Sequence, residues 1–246
     1  MSGLPEAPRR RPRVRRLILR DFRSYAALDV RFDAGLVAFV GENGAGKTNL
    51  LEALSLFSPG RGLRRAELAD CARIGGAGGF SVAIEIEEEG ETRPLGLGVE
   101  PGETGLERVN RIDRAPVASA RAFSDHLRLV WLTPAMDPLL SGPASERRKF
   151  LDRLVLAIDP GHGARVGQFE RALRGRNRLL EEGGRNAWLD AIEREAAELG
   201  VAVAAARAEC VGRLSAGILA GRDDDSPFPW AAIALAGEVE AMLADG

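Results

Sequence analysis

Eight consecutive residues, Gly41-Glu-Asn-Gly-Ala-Gly-Lys-Thr48, constrain this chain more than any other segment. They satisfy GxxxxGK[ST], a loop that works only between a strand and a helix. Its glycines let backbone N–H groups turn inward around an anion, where any Cβ would crowd it. A helix starting at Lys47 adds its N-terminal dipole to the same spot. In that geometry Gly41, Glu42, Asn43, Gly44, Ala45, Gly46, Lys47 and Thr48 surround the phosphates of ATP. Lys47 is placed to reach the β- and γ-phosphates, and the Thr48 hydroxyl to bind Mg2+.

Lysine usage sharpens the point. Of the 34 lysines and arginines only Lys47 and Lys149 are lysines. A lysine kept inside the glycine loop marks a slot for a compact ammonium, where a planar guanidinium will not serve.

The flanking pattern supplies the required context. Val14–Phe22 reads as a strand, and Leu28-Asp-Val-Arg-Phe32 alternates as a half-buried strand does. Asp33-Ala-Gly35 is a turn whose flanking strands are expected to pair. Leu36–Val40 is a continuous apolar run, the mark of a buried central strand feeding the loop. Beyond the loop, Leu50, Ala53, Leu54 and Phe57 recur at helical spacing until Ser58-Pro-Gly60 stops the helix. Phe80–Glu88 alternates again and Leu95, Leu97 and Val99 continue the pattern, so a β-meander follows, with turns at Gly90 and Pro101-Gly102. Helical signals begin near Val117, with one more strand expected at Leu127–Leu132. From Pro143 the chain is mostly helical, broken at Asp159-Pro-Gly161, Gly183-Gly184 and Gly221–Pro229.

Composition sets the outer limits. With 45% hydrophobic and 28% charged residues the chain can build a core. Cys71 and Cys210 lie far apart and lack a CxxC spacing, which points to two reduced thiols rather than a disulfide or metal site. No apolar run approaches the ~20 residues that span a bilayer, and no signal-peptide core follows the basic N-terminus, so a cytoplasmic protein without a membrane partner is expected. The net charge of −2 does not announce a nucleic-acid binder. Arginines nevertheless cluster at Arg9–Arg11, Arg13, Arg15 and Arg16, at Arg61, Arg64 and Arg65, and along Arg171–Arg178.

The segment Leu17-Ile-Leu-Arg-Asp-Phe-Arg-Ser24, ahead of Phe39-Val-Gly-Glu-Asn-Gly-Ala-Gly-Lys-Thr-Asn-Leu-Leu-Glu-Ala53, resembles the head domain of SMC-type ABC ATPases. Ser58-Pro-Gly-Arg-Gly-Leu-Arg64, Thr133-Pro-Ala-Met-Asp-Pro-Leu-Leu-Ser-Gly142 and Glu146-Arg-Arg-Lys-Phe-Leu-Asp152 narrow the resemblance to the RecF family. Phe169–Leu180, with Arg176-Asn177-Arg178, is similar to the same family, and the likeness runs from about Val14 to the end. It implies an α/β fold: a P-loop ABC/SMC-type head, a mixed sheet with an antiparallel β part, then a helical lobe. The boundaries implied are a disordered basic arm over 1–13, the N-terminal part of the head with the P-loop over 14–116, and a mainly helical lobe over 117–246. The resemblance further implies ATP and Mg2+ as cofactors and DNA at single-strand/duplex junctions as a partner. An ATP-dependent homodimer, recombination mediator proteins and work in gap repair, replication and the SOS response belong to the same implication. Arg23 matches the arginine that reaches nucleotide phosphate in such heads.

Three parts of an ABC head are not found: an LSGGQ-type signature loop, a Walker B strand ending in Asp-Glu, and a switch histidine. Leu140-Ser-Gly-Pro143 and Leu214-Ser-Ala-Gly-Ile218 echo the signature without continuing as one. Leu154-Val-Leu-Ala-Ile-Asp159 echoes Walker B, but Pro160 holds the glutamate's place, and the spacing of Phe150, Leu151, Leu154 and Ile158 is helical. Gln168 falls in a helical stretch, and His126 and His162 read as surface or packing residues. Catalytic residues therefore stay unassigned, and the chain looks like the first part of a longer head, with an unpaired sheet edge and negligible hydrolysis of its own. Two other readings stand beside this one: a nucleotide kinase, and a non-catalytic remnant that serves as a binding module.

Overall fold

The computed structural model describes residues 12–88, 90–102, 105–183 and 187–245. Most of the N-terminal arm thus lies outside the described residues, and Arg13 already opens the first strand. The chain divides into two compact units, one up to Trp131 and one from Leu132 onward.

The first unit is built on a sheet of order β2-β1-β3-β4-β5-β6. Its strands are β1 (Arg13–Phe22), β2 (Tyr25–Arg31), β3 (Phe80–Glu88), β4 (Glu91–Gly102), β5 (Gly105–Ile112) and β6 (Ala115–Pro116). Alternation dictates its faces. Leu17 and Leu19 of β1, Val82, Ile84 and Ile86 of β3, and Leu95, Leu97 and Val99 of β4 turn to one side and are buried. Registers Leu17↔Ile84↔Leu95 and Leu19↔Val82↔Leu97 align them in rows. The helix α1 (Lys47–Ser55) and the turn after it bring Ala53, Leu56 and Phe57 into this core. Phe57 meets Phe123 at a ring-centroid separation of 5.1 Å, and Phe22 meets Phe80 edge-on at 5.3 Å.

Every pairing among the described strands is antiparallel. Leu36–Val40, expected as a buried central strand, forms neither a ladder nor a buried element. Leu36 is 90% exposed and Val40 93%, with only Phe39 packed, edge-on against Phe32 at 6.0 Å. The physical reason is that backbone becomes strand only against a neighbour, and no described strand lies beside this run. Leu127–Leu132 fails to form a strand for the same reason: Leu127 is buried, but Val130 and Leu132 face outward without a partner. The turn at Asp33-Ala-Gly35 does not close a hairpin either. β2 pairs with β1 through the tight turn at Arg23-Ser24, with Phe22 opposite Tyr25. Past residue 117 the first helical element is a 3-10 turn, Ala120–Asp125, and regular helix begins only at Ala144.

The second unit comprises α2 (Ala144–Leu156), α3 (His162–Glu181), α4 (Ala187–Ala220) and α5 (Glu238–Asp245). α3 and α4 run antiparallel: Phe169 packs against Gly200, and Arg176 Nε donates to Glu193 at 2.8 Å. Asp152 of α2 accepts from Arg207 of α4 at Nε (2.8 Å) and Nη2 (2.9 Å), and lies 2.8 Å from Nε2 of fully buried His162. The Walker B echo begins in α2 at Leu154, and of the two signature echoes Leu214–Ile218 lies inside α4 whereas Leu140–Pro143 lies in the turn before α2; Gln168 falls in α3. His126 is a packing residue between Glu88 and Arg93.

Candidate nucleotide-binding site

The glycine loop emerges from Val40 and enters α1 at Lys47. Gly44 and Gly46 adopt φ of 89° and 93°, left-handed values that L side chains rarely take. At Gly46 space is a second constraint. A Cβ there would lie 2.7 Å from Tyr25 Oη and 3.0 Å from Ser24 Oγ, both on the β1–β2 turn. The glycine therefore lets strand turn and loop approach as closely as they do.

The loop's donors are left free. Ala45 N–H bonds to Glu42 O at 3.2 Å and Asn49 N–H to Gly46 O at 2.8 Å. The N–H groups of Gly44, Gly46, Lys47 and Thr48 have no partner among the described residues. These orphan donors at a helix N-terminus are what an anion requires. Lys47 Nζ folds back onto the loop, donating to Gly41 O and Glu42 O, each at 2.6 Å. Residues Gly41 to Ala45 and Thr48 are exposed, so the loop is open to solvent. No cluster of three or more His, Cys, Asp or Glu suited to a metal occurs among the described residues. A metal here would rest on Thr48 and on oxygens of the nucleotide itself. A separate groove of about 450 Å³, lined among others by Arg16, Ile18, Gly96, Arg111 and Arg114, lies on the far face of the sheet and is not the phosphate loop.

Arg23 stands in the β1–β2 turn beside the loop, at φ 51°. Its guanidinium is turned to Glu52 of α1, donating Nε to Oε2 at 2.9 Å and Nη2 to Oε1 at 2.6 Å. Nη1 donates to Asp70 O at 2.7 Å, and its own N–H to Cys71 O at 2.8 Å. Hydrogen bonding to Glu52 raises the Arg23 pKa above its ordinary value, against the opposing effect of burial. Arg64 completes the set, its Nη1 reaching Glu52 Oε2 at 2.5 Å and Asn49 Oδ1 at 2.8 Å. Asn49 Nδ2 in turn donates to Ser24 Oγ at 2.9 Å.

Glu52, Arg64, Asn49 and Ser24 were not singled out as site residues from the sequence. One signal was available: Glu52 sits among Leu50, Leu51, Ala53 and Leu54 of α1, and its side chain proves only 2% exposed. A carboxylate so buried demands cations, and Arg61, Arg64 and Arg65 follow shortly after.

A β-sheet backed by the helix that leaves a GxxxxGK[ST] loop, with an arginine in the turn beside it, has the arrangement of a P-loop nucleotide-binding fold. A family model described as an AAA domain matches residues 16–94. The chain's curated homologues, identical at about half of the aligned positions, are RecF proteins. It is 54% identical over 231 residues to the DNA replication and repair protein RecF of Mesorhizobium japonicum, across 94% of this chain and 61% of that one. The same-named proteins of Rhizobium etli (strain CIAT 652) and Agrobacterium fabrum are 50% and 49% identical over 230 residues, again covering 93% and 61%. The chain thus spans about three fifths of the length of these relatives. Among solved structures, the recombination mediator protein RecF-ATPrS in the RecFOR pathway superposes with a TM-score of 0.73 at 23% identity, over 85% of this chain and 57% of the other. The RecF-ATP structure gives 0.70 at 22%, over 87% and 58%. These likenesses bear on the fold.

Proposed function

We propose that this chain binds Mg-ATP through Gly41–Thr48 and serves as the nucleotide-binding part of a RecF-type DNA repair and replication protein. The observation that carries the reading is the set of N–H groups at Gly44, Gly46, Lys47 and Thr48 that have no partner among the described residues, at the N-terminus of α1. On binding, the Lys47 ammonium exchanges the Gly41 and Glu42 carbonyls for phosphate oxygens, and the Thr48 hydroxyl ligates the ion. Mg2+ held there by Thr48 would neutralise charge on the phosphates. Arg23, in the turn beside the loop, reaches phosphate by exchanging the Glu52 carboxylate for it.

The wider role follows the relatives' name. DNA at single-strand/duplex junctions, an ATP-dependent homodimer, partnership with recombination mediators and a place in the SOS response in the cytoplasm belong to this proposal. No helix among the described residues is long and apolar enough to cross a membrane. A kinase reading has less behind it, since a paired strand region precedes the P-loop here whereas such enzymes typically carry it on the first strand. Hydrolysis by this chain alone is negligible, because no Asp-Glu pair follows an apolar strand to position metal and water.

The test is ATP binding and turnover by this chain, with and without gapped DNA, beside Lys47→Ala. Binding that is lost in the variant, with no turnover in either protein, is expected. Turnover that depends on Lys47 would overturn the statement on hydrolysis. Failure of the wild type to bind ATP would overturn the nucleotide reading and favour a binding module that no longer uses ATP.

A further inference from the structure

The phosphate loop is gripped by the turn between β1 and β2 through groups that leave its donors free. Ser24 lies in that turn and Tyr25 opens β2. Tyr25 Oη is 3.4 Å from Ala45 O. The place a Cβ would take on Gly46 is 2.7 Å from the same Oη and 3.0 Å from Ser24 Oγ. Asn49 Nδ2 donates to Ser24 Oγ at 2.9 Å, while the Asn49 N–H closes onto Gly46 O at 2.8 Å. Ala45, Gly46 and Asn49 thus meet two consecutive residues of one turn. None of these contacts uses the N–H of Gly44, Gly46, Lys47 or Thr48.

Position in the chain gives the Asn49 bond its consequence. Asn49 follows Thr48, and Ser24 follows Arg23. A hydrogen bond between the two therefore fixes where the Thr48 hydroxyl stands relative to the backbone of Arg23. Gly44 and Gly46 would otherwise leave the loop a wide choice of backbone shapes, a freedom lost before the N–H groups can converge on one anion. Holding the loop in that shape beforehand removes the loss from the binding step. A purely structural account is weaker. Ser24 is exposed and Asn49 only half-buried, so their bond adds little to folding, which rests on the buried rows of β1, β3 and β4.

We propose that Ser24 and Asn49 are positioning residues of the nucleotide site. Their hydrogen bond, with Tyr25 as a backstop under Ala45 and Gly46, holds the phosphate loop in its binding shape and keeps Thr48 in register with Arg23. Neither side chain contacts the nucleotide itself. This inference rests on the ATP-binding reading above and deepens it.

The experiment is a double-mutant cycle read as Mg-ATP affinity by calorimetry, with thermal melts of the nucleotide-free proteins alongside. Ser24→Ala and Asn49→Ala should each weaken ATP binding by roughly three- to tenfold, the worth of one hydrogen bond. Ser24→Ala should have no further effect in the Asn49→Ala background, because the same bond is already gone. Arg64 also loses its Asn49 acceptor when Asn49 is replaced, but it keeps Glu52, and this change is common to both Asn49→Ala proteins and cancels in the cycle. Melting temperatures should match the wild type. Tyr25 is the sole tyrosine, so fluorotyrosine labelling yields a single fluorine resonance beside the loop. That line should be sharp in the nucleotide-free wild type and broadened or split in Asn49→Ala, where the loop is no longer pinned. Wild-type affinity in either single variant, full additivity of the two substitutions, or an unchanged fluorine line in Asn49→Ala would overturn the proposal. A melting temperature that fell in step with affinity would overturn it too, in favour of a merely structural bond. Absence of ATP binding by the wild type would instead overturn the nucleotide reading on which the proposal stands.

Discussion

Arg23 and Glu52, 29 positions apart, meet in a two-pronged ion pair that fastens the β1–β2 turn to the P-loop helix, at 2.9 and 2.6 Å. Because Arg64 shares the same carboxylate, one buried negative charge holds two cations from two different segments. Glu52→Ala should therefore cost about 3–5 kcal/mol, the loss typical when one partner of a buried pair is removed. Urea denaturation followed by circular dichroism measures it. A loss under about 1 kcal/mol would mean that the pair does not hold the turn.

Lys47 has the opposite profile. Among the described residues its ammonium bonds only to carbonyls of an exposed loop, so Lys47→Ala should leave stability within about 0.5 kcal/mol of wild type while nucleotide binding disappears. Gly46→Ala should cost about 1–3 kcal/mol, because the added Cβ meets Tyr25 Oη and the backbone stays at φ 93°. Paired thermal melts and nucleotide titrations separate the two effects. A Lys47→Ala protein that melts early would show a structural role for the lysine.

Asp152 makes stability depend on pH in the helical unit. Burial alone would raise its carboxyl, and the hydrogen bonds from His162 and Arg207 outweigh that, leaving its pKa below the ordinary value. A carboxylate with a depressed folded value stabilises fully above its unfolded pKa of about 3.9, and that contribution fades as pH falls through the folded value. Asp152→Asn should thus be less stable than wild type by a constant amount above about pH 5, and the gap should close in strong acid. Denaturation curves between about pH 2 and 7 for both proteins check the sign; a gap that widened on acidification would contradict it.

Leu36 and Val40 bury almost nothing, so Leu36→Ser and Val40→Ser should change stability by less than about 0.5 kcal/mol. Leu17→Ala, from the fully buried row of β1, should cost about 2–5 kcal/mol. The serine pair should also reduce self-association, since exposed apolar side chains on an unpaired segment favour it. Light scattering across a concentration series reads this out; destabilisation by either serine would show that the segment is packed in solution.

Local pattern decided a large part of this protein. The alternation of Leu17 and Leu19, of Val82, Ile84 and Ile86, and of Leu95, Leu97 and Val99 sufficed to place β1, β3 and β4 and their buried faces, because period-two patterning is a property of the strand itself. The helix starting at Lys47 and the breaks at Asp159–Gly161 and Gly183 were legible for the same reason, as was the loop with its free donors. What tertiary structure alone decided was whatever depends on a distant neighbour. Leu36–Val40 and Leu127–Leu132 carry strand-like sequences, yet remain unpaired because a ladder requires a partner that their own residues do not specify. The Arg23–Glu52–Arg64–Asn49 network was equally hidden, since three segments meet there and only packing brings a buried carboxylate between two guanidinia.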